Sequence, residues 1–311
     1  MKTKEGKIFE SKPTAEVIDH MRSITNCSYT IIPRSLEMLT DNNFLFLSFG
    51  EKNKIRVPVR TSFLRKLLRW HKMPENLNEI LADDLFLKVV NELLHKIKSR
   101  EVNVKLENNE ALTITSQLFT EFKDLQVFNL IKNLNIKCIS KNDYMTRFYT
   151  DKKEEAAPAV GDFCGFGFDI VNSETGFSSL SFNHFMLRYV CKNGATAPIN
   201  IYDAKKYHYS EMNESLGKFL NTQLNNSDQS RKQLIHLLKK SNDLEAIKYK
   251  ISAISKLNYT LGGWKGNEFM KEFVWQNSKY DLFNFITHKA KVFEITKRYQ
   301  LERLAGEIIL N

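Results

Sequence analysis

The sequence is short of the features that announce a metal centre, a redox pair or a membrane anchor. Its four cysteines, Cys27, Cys138, Cys164 and Cys191, stand far apart, with no C-x-x-C pair and no closely spaced histidine. That spacing writes neither a zinc knuckle nor a dithiol, and buried free thiols are the expected use. No D-x-D, H-x-H or H-E-x-x-H spacing occurs, so a metal-dependent centre lacks its usual ligand pattern. No stretch approaches the roughly 18 consecutive apolar residues of a membrane span. The opening segment MKTKEGKIFESKPTAEV carries lysines with no apolar run behind them. A cytoplasmic protein without membrane partner, metal or cofactor is therefore expected. Internal repeats and low-complexity tracts are also missing, which excludes solenoids and biased linkers.

What the chain does have is basic charge and aromatic bulk. Over 311 residues, 46 Lys and Arg face 36 Asp and Glu, giving a net charge of +10 and a pI of about 9.2. Such a balance favours contact with polyanions. A hydrophobic content of 42%, with 12% aromatics, is ample for a core and argues against disorder.

The period of the hydrophobic pattern changes twice along the chain, dividing it into three regions. Residues 1–150 read as an N-terminal α+β region. Asn43–Phe49 and Lys54–Arg60 have strand character, and Thr61 or Ser62 can cap a helix running to Met73, stopped by Pro74. A second helix is expected from Glu75 or Asn78 to about Ser99. VNVKLE and EALTIT flank Asn108-Asn109, a hairpin signal, because Asn tolerates positive φ. Residues 118–135 return to helical spacing. Residues 151–209 are rich in strands, entered through DKKEEAAPAVG, which reads as a loop or hinge. Residues 210–311 read as helical, interrupted at Gly262-Gly263, with a final helix from about Asp281 to Leu310. The fold class expected is α+β, a largely antiparallel sheet with packed helices and a helical C-terminal region on one face.

The window from Lys52 to Pro74 holds eight Lys or Arg and no acid. In KIRVPVR, Ile55, Val57 and Val59 alternate with Lys54, Arg56 and Arg60. On a helical wheel, Phe63, Leu64, Leu67, Leu68 and Trp70 share one arc, while Arg65, Lys66, Arg69 and Lys72 share the opposite one. Strand and helix would then each present a basic face, and two such faces could track a phosphate backbone through counterion release. The plainer reading of such a charge run is a solvated surface, or one that docks an acidic protein.

Aromatics concentrate in the strand-rich region, as Phe163, Phe166, Phe168, Phe177, Phe182, Phe185, Tyr189 and Tyr202, and core packing is their ordinary use. Tyr207 and Tyr209, following Lys205-Lys206, are the candidates for exposed base stacking. The turns Asn172-Ser173-Glu174-Thr175-Gly176 and Cys191-Lys192-Asn193-Gly194 bracket one long strand. They are expected at its opposite ends, and Cys191 is about 23 Å from His184 along an extended chain, too far for a dyad. Asp169 and Glu174 are the acids a metal would use if one were bound. The GFGF glycines lack the helix and lysine of a phosphate loop and read as bulges or close-packing sites.

The stretch GFGFDIVNSETGFSSLSFNHFMLRYVCKNGA resembles the signature of the phage/plasmid-like proteins grouped as domain of unknown function 932. That pattern has an Asn-Ser-Glu-x-Gly turn followed by Arg-x-x-Cys-x-Asn-Gly. Here these are Asn172, Ser173, Glu174 and Gly176, then Arg188, Cys191, Asn193 and Gly194, residues whose role the resemblance leaves open. ITSQLFTEFKDLQVFNLI resembles a family segment leading from a turn into a helix, though the family's Tyr and Asp-Asn pattern is replaced around Phe119–Phe122. NFITHKAKVFEITKRYQLERLAGEIIL resembles its C-terminal helix. The likeness spans residues 50–311 and implies a setting on phages, plasmids or other mobile elements within a bacterial host cell.

Together these features favour binding over catalysis, and no catalytic residue is assigned. The expected function is a non-enzymatic nucleic-acid-binding protein of a mobile element, with single-stranded DNA the favoured partner and binding or annealing the role. Lys52, Lys54, Arg56, Arg60, Arg65, Lys66, Arg69 and Lys72 would hold phosphates, with Tyr207 and Tyr209 stacking. The rivals are a module, self-associating or not, that inhibits or triggers a host protein such as a defence factor, and a metal-dependent phosphodiester enzyme.

Overall fold

The computed structural model of the chain describes residues 1–50, 54–150, 154–159, 162–188, 196–199, 205–206, 217–218, 221–222, 225 and 227–310. Its first part contains β1 (Phe9–Pro13), α1 (Thr14–Ser23), β2 (Asn26–Ile31), β3 (Glu37–Asp41), β4 (Phe44–Phe49) and β5 (Ile55–Pro58). Helices α2 (Thr61–Trp70), α3 (Leu77–Ile80) and α4 (Asp83–His95) follow, then β6 (Val102–Glu107) and β7 (Glu110–Ser116). Strands β3-β4-β5 form one antiparallel sheet and β2-β6-β7 a second. Asparagine pairs make two of the tight turns. Asn42 and Asn43 join β3 to β4 at φ 48° and 65°, and Asn108 and Asn109 join β6 to β7 at φ 50° and 61°. The left-handed conformation costs asparagine less than it costs most other residues.

The amphipathic pattern of α2 explains its seat. Phe63, Leu64, Leu67 and Leu68 are buried in a core shared with Leu47 and Val57 of the first sheet, Val104 and Ile114 of the second, and Phe86, Val90 and Leu94 of α4. Burial of this kind contributes roughly 1.5–3 kcal/mol for each such side chain. Trp70, expected on the same arc, is half-buried. The helix starts at Thr61 without a side-chain cap. Thr61 Oγ1 instead meets Thr3 Oγ1, Lys4 O and Glu5, and Ser62 Oγ donates to Leu112 O, so both hydroxyls tie the helix to other segments.

The remaining elements are α5 (Asp124–Ile131), β8 (Ile136–Lys141), β9 (Thr146–Thr150), β10 (Glu154–Ala159), β11 (Asp162–Asn172), β12 (Leu180–Arg188), β13 (Thr196–Ile199) and β14 (Lys205–Lys206). Helices α6 (Ser227–Ser241), α7 (Lys250–Leu261), α8 (Lys265–Phe269), α9 (Lys279–Lys289) and α10 (Ile295–Leu310) complete the described chain. The third sheet is antiparallel, in the order β1-β8-β9-β11-β12-β13, with β10 also paired to β11 and β14 to β12. Period-2 alternation divides its side chains. Phe148, Ile170, Leu180 and Phe182 pack with Val17 and Ile18 of α1 and Val127 and Ile131 of α5. Their neighbours face the other way, where Val171 meets Ile295 and Tyr299 of α10. The helical C-terminal region thus covers one face of the sheet, and the protein is an α+β fold.

Several boundaries differ from expectation. The helix expected from 75 to 99 is two, because Leu81 and Ala82 are extended and Asp83 and Asp84 restart the helix with favourable charge at its first turn. Only residues 124–131 of the expected 118–135 helix are α-helical. The expected loop of DKKEEAAPAVG is strand β10 over residues 154–159, and β9 and β11, before and after it, pair with each other. The last helix is two, broken at Phe293, whose backbone is extended. Glu294 then accepts from Thr296 N and Lys297 N and so restarts the helix. Gly262 and Gly263 end α7 at φ 81° and 74°, where glycine is at ease. The register of β11 with β12 runs unbroken through Gly165 and Gly167, both buried, so these are close-packed strand residues and not bulges against β12.

Among the described residues, no helix is long and apolar enough to cross a membrane.

Candidate nucleic-acid interface

The basic strand and helix carry fewer unneutralised charges than their sequence suggests, because the fold brings acids from elsewhere. Lys54 lies 3.6 Å from Glu37, and Arg56 bonds Asp41 at 3.1 Å while stacking over Phe46. Arg65 and Arg69 share Glu75, at 3.6 and 2.5 Å. Arg60 corrects the expectation outright. It is 4% exposed, with its guanidinium on Glu107 at 2.7 Å, Glu110 at 2.8 Å and Asp143 at 2.9 Å. Val59 links the first two sheets, donating to Leu45 O of β4 and bridging Ala111 of β7, and Arg60 N then donates to Ala111 O with its side chain turned inward. Burial alone would lower its pKa, but Asp143 and Glu107 outweigh it and raise it above the ordinary value. Lys72 is exposed beyond the end of α2 at φ 57°. Lys52, Tyr207, Tyr209, Cys191, Asn193 and Gly194 lie outside the described residues, and of Arg188 only the strand position is described.

The Asn-Ser-Glu-x-Gly turn joins β11 to the elements around it. Asn172 Nδ2 donates to Phe122 O at 2.6 Å and Asp124 Oδ1 at 2.7 Å, and Ser173 Oγ donates to Tyr144 O at 2.6 Å. Glu174 accepts from the backbone N–H of Asp124 at 2.5 Å, at the start of α5, and from Lys105 Nζ at 2.6 Å. Lys141 completes the cluster on Asp124 at 2.7 Å. Burial pushes the Glu174 carboxyl up, but Lys141 and Lys105 outweigh it and hold it below its ordinary value. The cavity beside it is only about 10 Å³, room for about one water. This is a buried junction with no space for a substrate.

Asp169 does not join Glu174. It faces α10, where Arg147 bonds it at 2.6 Å and Glu302 at 2.8 Å, all three side chains buried and the guanidinium lying over Tyr149 and Tyr299. The two acids proposed for a metal are therefore each held by cations in separate clusters. No group of three or more His, Cys, Asp or Glu among the described residues is arranged to hold a metal. The strand position of Arg188 pairs with Cys164, at the end of β12 away from Leu180. Eight residues of strand separate it from that end by about 26 Å. Cys27 and Cys138 are free and only half-buried, against the expectation of full burial.

The open site lies on the other side of the signature turn. Lys66 Nζ donates to Gly176 O at 2.5 Å and lies over the Phe177 ring, as does Arg69. Gly176 has φ 70°, and a Cβ there would come within 2.7 Å of the Phe119 ring and 3.0 Å of Lys66 Nζ. The glycine therefore lets helix and turn approach. Two hollows meet at this point. One, of about 440 Å³, is lined by Lys66, Arg69, Trp70, Phe119 and Phe177. The other, of about 1160 Å³, shares Arg69, Phe177, Ser178 and Ser179 and extends to Lys256 and Tyr259 of α7 and Lys297 and Arg303 of α10. Together they form one cleft with five cations against two carboxylates, Glu75 and Glu307.

Glu307 is taken by Lys256 at 2.9 Å. Lys66 and Lys297 face no carboxylate ion pair among the described residues; each instead donates to a carbonyl, Lys297 to Thr260 O at 2.5 Å. Burial, then the neighbouring Arg69, lowers the Lys66 pKa to about 8. Burial also lowers that of Lys297, outweighing the carboxylates of Glu294 and Glu75, while Arg69 and Arg65 add to the fall. Ser178 Oγ, on the floor, is buried without a hydrogen-bond partner among the described residues. The arrangement can accept a chain of anions, with aromatic rings alongside. Of the residues the sequence pointed to, Lys66, Arg69, Trp70, Gly176 and Phe177 line this cleft. Lys256, Lys297, Arg303 and Tyr259 were not singled out, because on a helix their spacing looks like any solvated face.

Compared with protein-family models, with curated proteins and with solved structures, the chain matches none.

Proposed function

We propose that the protein binds nucleic acid without catalysing a reaction, holding a phosphate backbone in the cleft between α2 and helices α7 and α10. The observation that carries this reading is the pair Lys66 and Lys297, neither in a carboxylate ion pair among the described residues, each donating to a carbonyl and each with lowered proton affinity. A cation in that state is stabilised by an arriving anion, and a row of phosphates meets Lys66, Arg69, Lys297 and Arg303 in turn. The rings of Phe177 and Tyr259 suit a partner with flat, apolar faces between its charges. Among the described residues that line the cleft, Glu75 is held by Arg69 and Glu307 by Lys256, which suits holding a strand. The likeness to phage/plasmid-like proteins suits a mobile element, where binding or annealing single strands is the role we favour.

Fluorescence anisotropy with labelled oligonucleotides over a salt series tests this. Affinity is expected to fall linearly in log–log form with salt, by about 0.7 per phosphate neutralised on single strands. The Lys66→Glu/Lys297→Glu variant should lose most of that slope, whereas Arg56→Glu, on β5 and outside the cleft lining, should lose little. Absence of binding by the folded wild type at low salt would overturn the proposal.

A further inference from the structure

The basic cleft does not end at α7. Ser255 and Tyr259, which line it, also line an adjoining open trough of about 610 Å³ that continues over Lys250, Ile251, Gly263 and Trp264. The trough differs in kind from the cleft. Its charge is one lysine, and its surface is mostly apolar, dominated by two rings. Tyr259 is 92% exposed and Trp264 is 87% exposed.

The local chain geometry explains that exposure. Helix α7 buries Ala253 and Leu257, and Ile251, Ser255 and Tyr259 form the i, i+4, i+8 row on its outer side. Gly262 and Gly263, both at positive φ, then turn the chain so that Trp264 stands beyond the helix end. Around either glycine nothing lies within 4 Å of where a Cβ would be. The space beside the tryptophan is therefore open to a flat group.

We propose, resting on the nucleic-acid reading of the cleft, that Tyr259 and Trp264 are a base-stacking platform and that the partner is single-stranded. A strand whose phosphates run past Lys66, Arg69, Lys297 and Arg303 leaves the cleft over Tyr259, where its bases meet the two rings. In a duplex those base faces are already stacked and paired, so only an unpaired strand can use the platform. Continuity with the basic cleft and the lysine in the trough, Lys250, favour this occupant over an apolar protein segment.

The test compares oligothymidylate with an abasic phosphodiester strand of equal length, by anisotropy and by tryptophan emission. Oligothymidylate is expected to quench the wild-type emission, and most of that quench should be lost in Trp264→Phe, which keeps Trp275 and the cleft-lining Trp70. Tyr259→Ala/Trp264→Ala should weaken oligothymidylate by about tenfold or more and leave the abasic strand unchanged. Equal affinity of wild type and variant for both strands would overturn the platform while the cleft stands. If neither strand binds wild type, the cleft reading fails and the platform with it. If the double variant instead changes the sedimenting mass of the free protein, the two rings belong to a contact between copies, and the stacking assignment is wrong.

Discussion

Lys66 reaches the carbonyl of Gly176 across 2.5 Å, joining residues 110 positions apart in the chain. The basic helix and the Asn-Ser-Glu-x-Gly turn, two separate features of the sequence, are thereby one wall of one cleft. Replacing Gly176 by alanine puts a side chain at φ 70° and drives a Cβ into Phe119 and Lys66. The expected loss is about 1–3 kcal/mol in urea unfolding, together with weaker strand binding as Lys66 is displaced. Unchanged stability and binding would show that the contact has no bearing on either.

Proton affinity gives a second prediction. The Lys66 pKa is lowered to about 8, so its charge is present at pH 7 and lost as pH rises through that value. Affinity for an oligonucleotide should therefore decline between pH 7 and pH 9, with Lys297, lowered in the same direction, adding to the decline. Lys66→Arg keeps its charge over this range and should flatten the profile. In the free protein the sign is opposite. The unfolded chain holds this proton more tightly than the native one, so the group's contribution to stability improves as pH rises from about 8 towards the unfolded value.

Arg60 should behave as a structural residue. Removing it leaves Glu107 and Asp143 buried without their cation, so Arg60→Ala is expected to cost about 3–5 kcal/mol. Arg56→Ala, which breaks an exposed pair with Asp41, should cost no more than about 1 kcal/mol. Denaturant titration of the two variants separates them, and equal losses would contradict the buried position of Arg60.

The sheet and the last helix are joined by Arg147, with Asp169 on one side and Glu302 on the other. Arg147→Met leaves two facing carboxylates in a buried site, with a loss of about 3–5 kcal/mol expected at neutral pH. Burial already pushes the Glu302 carboxyl above its ordinary value. Without the arginine it should rise further, so the variant's deficit should shrink as pH falls and the carboxylates become neutral. Melting curves of variant and wild type from pH 7 down to pH 5 would show it, and a deficit that widened on acidification would refute the assignment.

Local structure was legible wherever one element's own pattern decided it. The alternation in β4 and β5, the apolar arc of α2, the Asn108-Asn109 hairpin, the long strands β11 and β12 and the glycine break after Leu261 all follow from side-chain period and backbone tolerance. Short breaks were not legible. Leu81-Ala82 and Phe293 interrupt helices with extended backbone, and no Gly or Pro marks them.

The sequence by itself determined that this is a basic α+β protein with an antiparallel sheet and a helical end, because composition and period depend only on near neighbours. Which charges are free was decided by the tertiary structure alone. Lys52–Pro74 contains no acid, yet Glu37, Asp41, Glu75, Glu107, Glu110 and Asp143 neutralise most of its cations from elsewhere in the chain. The cleft in turn draws Lys297 and Arg303 from the last helix towards Lys66 and Arg69. Coulomb energy depends on distance in space, and folding sets those distances without regard to separation along the chain.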